Sequence, residues 1–145
     1  MVSFHKMTME DVDQVSQLEA KTFSMPWSRD AFAQMVDNPC ALFLLAMDGD
    51  KLAGTCGIMT VVGEGDISNV AVDEQYRRQG IAYELVKNAM DIASREYDVE
   101  AFTLEVRAGN TAAIGLYEKL GFVSEGIRPR FYEKPVEDAV IMWKR

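Results

Sequence analysis

The segment from Asn69 to Ala93 changes its apolar spacing partway along, from that of a strand to that of a helix. Its first residues after Asn69 are Val-Ala-Val, which is typical of a short buried strand. The second half carries apolar residues three and four positions apart, on one helix face: Ala82, Leu85, Val86, Ala89, Ile92 and Ala93. A strand that leads through one turn into a strongly amphipathic helix predicts an α/β arrangement, in which the helix covers a sheet.

The patterns before this segment predict a strand, two helices and an antiparallel meander. Residues 2–7 suggest a strand, Thr8 and Asp11 cap a helix that runs to about Phe23, and Ser28 caps a second helix that ends before Pro39. The meander is predicted over residues 41–47, 51–62 and 65–72, with turns at Asp48-Gly49-Asp50 and Gly63-Glu64-Gly65.

The patterns after this segment predict a strand, a helix and two final strands. Ala101 to Val106 alternates as a strand, and Asn110 caps a helix that stops at Gly121. The final strands are predicted near residues 122–128 and 138–144. We therefore expect a single domain over residues 1–145, a length that can bury a core without disulfides or metals.

Charge and composition exclude several classes of function. The formal net charge of −8 disfavours a nucleic-acid or anionic-membrane surface, because both require a basic face. The longest apolar run, Cys40–Met47, is too short to span a bilayer, and the first residues do not resemble a signal peptide. Cys40 and Cys56 are expected to be buried free thiols, so we predict a soluble, cytoplasmic protein. A single histidine, His5, argues against a histidine-based triad and against most zinc sites.

The turn between strand and helix has the chemistry of an anion site. The first amides of a helix lack internal partners and lie at the positive end of its dipole, so they stabilise a phosphate. Gly80 would let the backbone approach closely, and Arg77 and Arg78 would add positive charge. Ordinary surface arginines in a solvated turn would give the same local pattern.

A second informative stretch runs from Leu104 to Phe122. Strand alternation places Leu104 and Val106 on one face and Glu105 on the other, near the carboxyl end of the strand, where ligands of open α/β sheets bind. A salt-bridged surface carboxylate would fit the same position. Tyr117 lies on the apolar stripe of the following helix and also reads as a core tyrosine. Asn110 reads as a helix N-cap, a role compatible with a ligand contact.

The turn Arg77-Arg78-Gln79-Gly80-Ile81-Ala82 resembles the R/Q-x-x-G-x-G/A signature of the GNAT family of N-acetyltransferases. The predicted elements follow the order of that family over nearly the whole chain. The resemblance implies a three-layer α/β (α+β) fold, with a mixed sheet of six to seven strands and helices on both faces, and acetyl-CoA as cosubstrate without a metal. It also implies contacts to acetyl-CoA from Val70, Ala71, Val72, Arg77, Arg78, Gln79, Gly80, Ile81, Ala82, Tyr83 and Asn110.

Other segments resemble the branch of this family that acetylates the N-terminal alanine of ribosomal proteins. They are Phe23–Ser28, Asn69–Val72, Leu104–Arg107, Asn110, Leu116-Tyr117, and Arg128–Tyr132 before Glu137–Ala139. This resemblance implies that Glu105 is the general base and Tyr117 the general acid. It implies that the acceptor groove is flanked by Pro26, Trp27, Arg130, Phe131 and Tyr132.

The implied acceptor is the N-terminal alanine of a small-subunit ribosomal protein, a basic partner for an acidic chain. Direct transfer within a ternary complex is favoured over a route through Cys40 or Cys56, because neither cysteine has a neighbouring histidine in the sequence. Two other functions stay open at this point. One is acetylation of a small-molecule amine, and the other is a CoA-binding regulatory module without turnover.

Overall fold

The computed structural model describes residues 2–145, which form seven strands and four α-helices. The strands are β1 Ser3–Lys6, β2 Ala41–Asp48, β3 Lys51–Val61, β4 Glu64–Val72, β5 Ala101–Arg107, β6 Val123–Tyr132 and β7 Glu137–Lys144. The helices are α1 Val12–Thr22, α2 Arg29–Val36, α3 Ile81–Glu96 and α4 Thr111–Lys119.

All seven strands form one mixed sheet, in the order β1-β2-β3-β4-β5-β7-β6. Neighbouring strands are antiparallel except for β4 and β5, which are parallel and are connected by α3. The predicted α/β fold class, the meander and the mixed sheet of six to seven strands are therefore confirmed.

Two apolar clusters cover the two faces of the sheet, so the predicted three layers are present. The stripe of α3, which includes Leu85, Val86 and Ala89, packs on one face together with Tyr117 and Leu120 from the end of α4. On the other face, Val15 and Leu18 of α1 and Phe32 of α2 pack against β2 and β3. Ala82 and Ile92, predicted as members of the α3 stripe, are half-buried at its margin.

Helix boundaries follow the predicted capping residues. The Asp11 carboxylate accepts hydrogen bonds from the backbone N–H of Thr8 (2.8 Å) and from its hydroxyl (3.0 Å), where a short 3-10 turn precedes α1. Ser28 Oγ accepts from Ala31 N at 3.2 Å at the start of α2. Gly121, with φ of 99°, follows α4 in the left-handed conformation that glycine adopts without strain.

Several expectations from the sequence were wrong in detail. Cys40 is exposed, because Asn38, Pro39 and Cys40 form a turn before β2 in which Asn38 Oδ1 accepts from Cys40 N at 2.9 Å. Cys56 is buried, as expected. The turn after β3 consists of Val62 and Gly63, so β4 begins one residue earlier than predicted. None of the helices within residues 2–145 is long and apolar enough to cross a membrane.

Candidate active site

The parallel strands β4 and β5 pair over only part of their length and then separate. Their register runs from Glu64 opposite Ala101 to Ile67 opposite Leu104 and ends there. Beyond this point β4 continues to Val72 and remains paired with β3, whereas β5 continues to Arg107 and remains paired with β7. The edge of β4 that faces β5 therefore has no strand partner over residues 68–72. Such an edge can pair with an extended amide chain.

A cleft of about 340 Å³ lies at the carboxyl end of β4, beside the first turn of α3. It is lined by Val72, Tyr76, Arg77, Arg78, Gly80, Ile81, Ala82, Tyr83, Leu116 and Lys119. Helix amides and three cationic side chains converge on this cleft, which matches the chemistry of a phosphate site. A second cavity, of about 280 Å³ near the end of β1 and α2, contains none of the predicted site residues.

Gly80 has the backbone conformation that a phosphate-binding turn requires. It precedes α3 with φ of 75°, and a Cβ built there would meet no atom within 4 Å. The space beside its Cα is therefore open, and the cleft reaches Gly80, Ile81 and Ala82, where an anion would meet the first amides of α3. Arg78 shares the left-handed conformation, with φ of 64°. Arg77 Nε donates to Val72 O at 3.4 Å and so connects the turn to the end of β4.

The turn before α3 is fixed by contacts on its outer side. Asp73, which is 9% exposed, accepts hydrogen bonds from Gln75 N and from Lys21 Nζ, each at 3.0 Å. These two donors, the backbone N–H of Gln75 first, lower the pKa of Asp73. Tyr76 donates to Asp48 Oδ2 at 2.7 Å. The turn is thus held against α1 and β2 independently of any ligand.

Four predicted acetyl-CoA residues lie outside this cleft. Gln79 is exposed and does not line it. Val70 is half-buried and Ala71 is buried, both on the open part of β4. Asn110 caps α4, because its Oδ1 accepts from Ala113 N at 3.2 Å. The cap role of Asn110 is therefore established, and its contact with a cofactor stays a prediction.

Glu105 projects from β5 just beyond the last residue pair with β4. Its carboxylate lies 3.1 Å from Arg128 Nε and its side chain is 24% exposed, so it is accessible and paired with a cation. Asp66 of β4 belongs to the same cluster. Burial first, and then the negative charge of Glu105, raise the pKa of Asp66, whereas the positive charge of Arg128 lowers it. Two carboxylates and one guanidinium thus face the point at which the strands separate.

Tyr117 is a buried residue of α4, on the face that packs against the sheet. It is 6% exposed, and its ring meets Phe122 edge-on with centroids 5.8 Å apart. Burial, and to a smaller extent the neighbouring Cys56 and Tyr132, raise the pKa of its hydroxyl. The Tyr117 phenol therefore keeps its proton at neutral pH.

The two predicted acceptor segments lie on opposite sides of the opening. Trp27 belongs to the α1–α2 loop beside β4, and its half-buried ring packs against Phe32 and Phe43 at centroid distances of 5.2 and 5.8 Å. Tyr132 belongs to the β6–β7 hairpin, and Arg107 of β5 lies 4.5 Å above its ring. Pro26, Arg130 and Phe131 are exposed on these two segments.

Sequence reasoning missed Lys119, Asp66 and Arg128. Lys119 is exposed on α4 and reaches the cleft because α3 and α4 lie on the same face of the sheet. Arg128 of β6 forms an ion pair with Glu105 of β5, and β7 lies between these two strands in the sheet. No local pattern signals either contact, because both depend on the order of strands and helices. Within residues 2–145 there is no group of three or more His, Cys, Asp or Glu side chains that could hold a metal ion.

The profile of the Acetyltransferase (GNAT) family matches residues 12–122. The chain therefore belongs to the GNAT family of acetyltransferases. Among its relatives, a Bacillus subtilis (strain 168) protein provisionally named ribosomal protein bS18-alanine N-acetyltransferase is 39% identical over 138 residues, covering 94% of this chain and 91% of the relative. The ribosomal protein bS18-alanine N-acetyltransferase of Escherichia coli (strain K12) is 34% identical over 144 residues, covering 98% and 96%.

The fold also agrees with a solved structure of the same kind of enzyme. The crystal structure of the ribosomal-protein-S18-alanine N-acetyltransferase from Escherichia coli superposes with a TM-score of 0.89 at 32% identity, covering 99% of this chain and 92% of that one. The resemblance to this branch of the family, first indicated by short motifs, thus extends over nearly the whole chain.

Proposed function

We propose that the chain transfers the acetyl group of acetyl-CoA to the N-terminal alanine of a basic small-subunit ribosomal protein. The observation that carries this proposal is the convergence of three features where β4 and β5 separate: an open strand edge, a cationic cleft and the accessible carboxylate of Glu105. The names of two relatives, at 34% and 39% identity, support the choice of acceptor.

The residues present fit acetyl-CoA as the cosubstrate. The cleft with Arg77, Arg78 and Lys119 suits the phosphates, and the open space in front of Gly80 lets them reach the helix amides. The edge of β4 over Val70–Val72 suits the amide-containing arm. When bound, acetyl-CoA supplies a thioester that a neutral amine can attack.

Glu105 is the proposed base. A protein α-amino group titrates near pH 7.7–8.0, so a base in the site needs to remove only one weakly held proton. Glu105 is accessible from the opening, and Arg128 Nε lies 3.1 Å from its carboxylate. The proposed donors to the negative charge that develops on the acetyl oxygen are the backbone amides of Val70 and Ala71.

Tyr117 is the proposed acid. Its buried phenol has a raised pKa, so the proton needed by the departing sulfur is present at neutral pH. A route through a cysteine is disfavoured. Burial raises the pKa of Cys56 to about 12, and the exposed Cys40 lies in the α2–β2 turn rather than at the opening. Direct transfer between the two bound substrates is therefore the proposed route.

The test is an acceptor screen with acetyl-CoA, read by mass spectrometry, with Glu105→Gln as the inactive comparison. Peptides starting with Ala, Ser, Thr and Lys are compared with free polyamines and other small amines. We expect alanine peptides to have the highest kcat/KM, and Glu105→Gln to lower kcat by roughly 10²-fold near pH 7. The difference should shrink at higher pH, because the amine then loses its proton without help.

The matched control is Glu125→Gln, which changes the same charge in another ion pair of the sheet, that of Glu125 with Arg145. It should leave kcat unchanged. A preference for free amines would replace the proposed acceptor with a small molecule. Undetectable turnover with every acceptor would leave a binding module, and turnover of Glu105→Gln equal to the wild type at pH 7 would remove Glu105 from the mechanism.

A further inference from the structure

Glu19 is a charged residue in the last turn of α1, yet it is 4% exposed. Its Oε2 accepts two hydrogen bonds, from Asn69 Nδ2 at 2.8 Å and from Trp27 N at 3.3 Å. Burial raises the pKa of this carboxyl, and the two donors partly offset that effect. No cationic side chain of residues 2–145 forms an ion pair with Glu19. A buried carboxylate without a cation is a poor means of stabilising a fold, so its two partners indicate another role.

The first partner, Asn69, belongs to a bulge in β4, next to the point at which pairing with β5 ends. Pairing between β3 and β4 shifts between Thr55 and Gly57, so that Asn69 and Val70 lie opposite the single residue Cys56. Asn69 adopts φ of 56°, and its carbonyl accepts from Thr55 Oγ1 at 2.8 Å. Because of the extra residue, the alternation of side chains along β4 reverses after the bulge. Positions an even number of residues apart on either side of the bulge therefore point to opposite faces of the sheet.

The exchange of faces is visible in the packing. Ile67, before the bulge, belongs to the apolar cluster under α3, whereas Ala71, an even number of residues later, belongs to the cluster under α1 and α2. The bulge begins two residues after Ile67, the last residue of β4 that pairs with β5. The geometry of the open edge, Val70–Val72, therefore depends on the backbone of Asn69, which Glu19 holds through its side chain.

The second partner, Trp27, belongs to the predicted acceptor loop. Its ring is anchored between Phe32 and Phe43, and its backbone N–H is held by the same carboxylate oxygen that holds Asn69. One side chain thus connects the loop that borders the acceptor to the strand edge that borders the acetyl donor. The two segments are 42 residues apart in sequence and contain no pattern that pairs them.

We propose that Glu19 is a positioning residue, which fixes the acceptor loop Phe23–Ser28 relative to the cofactor edge Val70–Val72. The assignment of the two segments rests on the proposed function. Glu19 acts through Asn69 and Trp27 and touches neither substrate. Its loss should therefore reduce the precision with which the amine and the thioester are positioned. A displacement of about 1 Å between reacting groups can lower the rate by roughly 10²-fold.

The test compares Glu19→Ala, Glu19→Gln and Asn69→Ala with the control Thr22→Val. Thr22 is the last residue of α1, and its Oγ1 donates to Leu18 O at 2.7 Å, so Thr22→Val removes one side-chain hydrogen bond that involves neither Trp27 nor Asn69. Three quantities are measured well below the melting temperature of each variant: kcat/KM for an alanine peptide, acetyl-CoA affinity by calorimetry, and hydrogen exchange over residues 68–73.

Glu19→Ala should lower kcat/KM by roughly 10- to 100-fold and speed hydrogen exchange over residues 68–73. Thr22→Val should change neither quantity, even if its thermal stability is as low as that of Glu19→Ala. Acetyl-CoA affinity should fall with Glu19→Ala, because the strand edge is less ordered. Asn69→Ala should reproduce part of the defect, and the double variant Glu19→Ala with Asn69→Ala should be less than additive. Glu19→Gln retains an acceptor oxygen and should recover kcat/KM to within about threefold of the wild type.

Two results would overturn the proposal. If Glu19→Ala is less stable than the wild type but has normal hydrogen exchange and normal kcat/KM, Glu19 stabilises the fold and does not position the site. Glu19→Gln as inactive as Glu19→Ala would show that the charge itself takes part in the chemistry. If the wild type acetylates no alanine peptide, the proposed acceptor fails, while exchange and acetyl-CoA affinity still decide the role of Glu19.

Discussion

Tyr117 combines a buried ring with a hydroxyl that keeps its proton. The ring fills part of the core against Phe122, so a stability role is certain, and burial raises the pKa of the hydroxyl. Tyr117→Phe retains the ring and removes only the hydroxyl. If the hydroxyl protonates the departing sulfur, kcat for an alanine peptide should fall by roughly 10²-fold, while the free energy of unfolding should change by about 1 kcal/mol. Steady-state kinetics and a denaturant melt of both proteins measure the two effects.

The pH profile of the wild type checks the same assignment. Because the pKa of Tyr117 lies above the ordinary value of about 10, this acid should stay protonated across pH 7–9, so kcat should not fall in that interval. A decline in kcat between pH 7 and 9 would contradict this assignment. Normal turnover of Tyr117→Phe, with a clear loss of stability, would make Tyr117 a core residue and leave proton donation to water.

At the scale of elements, the turn before α3 and the end of α4 form the two walls of the cationic cleft. Gly80, Ile81 and Ala82 line one wall with the first turn of α3, and Lys119 contributes an ammonium group from the other. Gly80→Val should weaken acetyl-CoA binding, because φ of 75° strains a β-branched residue and its side chain would occupy the open space. Lys119→Ala should also weaken binding, by roughly three- to tenfold at low salt, through loss of one charge.

Calorimetry with acetyl-CoA measures both effects, and Arg95→Ala is the control. Arg95 lies near the end of α3, paired with Asp91 at 3.2 Å, so its loss changes the net charge equally without touching the cleft. Unchanged affinity of Gly80→Val would make the segment an ordinary turn. Equal weakening by Lys119→Ala and Arg95→Ala would show that only the net charge of the molecule matters.

The elements were predictable from sequence wherever a local signal determines them. The stripe of α3, the caps Ser28 and Asn110, and the stop at Gly121 each act within one or two helical turns, and the structure bears them out. The bulge at Asn69 was not foreseen, because a bulge in β4 depends on its register with β3. For the same reason Glu19 reads as a solvated residue of α1, since its partners come from a loop and a strand that the sequence does not bring together.

At the scale of the whole molecule, the site is a consequence of one parallel pair in an otherwise antiparallel sheet. The crossover through α3 makes β4 and β5 neighbours, and their pairing ends two residues before the bulge in β4. The helices α1 and α2 cover one face of β2 and β3. The β6–β7 hairpin borders β5, because Arg107 of β5 lies over the ring of Tyr132 in the hairpin. The proposed donor and acceptor segments therefore meet only when the whole sheet is assembled. Local unfolding of the β6–β7 hairpin or of the α1–α2 loop should thus reduce activity before the core unfolds.

The net charge of −8 leads to a prediction about the acceptor. An acidic enzyme attracts a basic peptide over several ångströms, and salt screens that attraction with a Debye length of about 8 Å at physiological ionic strength. For an alanine peptide rich in Lys and Arg, kcat/KM should fall by roughly threefold or more between about 0.05 and about 0.3 M NaCl. The effect should appear in KM rather than in kcat, because the screened charges steer binding rather than the chemical step.

The control is a neutral peptide that also begins with alanine, assayed at saturating acetyl-CoA. Salt also weakens binding of the anionic cosubstrate, but this effect is common to both reactions, so the ratio of the two kcat/KM values isolates the charge of the acceptor. We expect this ratio to decline steadily with salt. A ratio that is independent of salt would show that the acidic surface does not contribute to recognition, and that the acceptor is selected only by groups at the opening between β4 and β5.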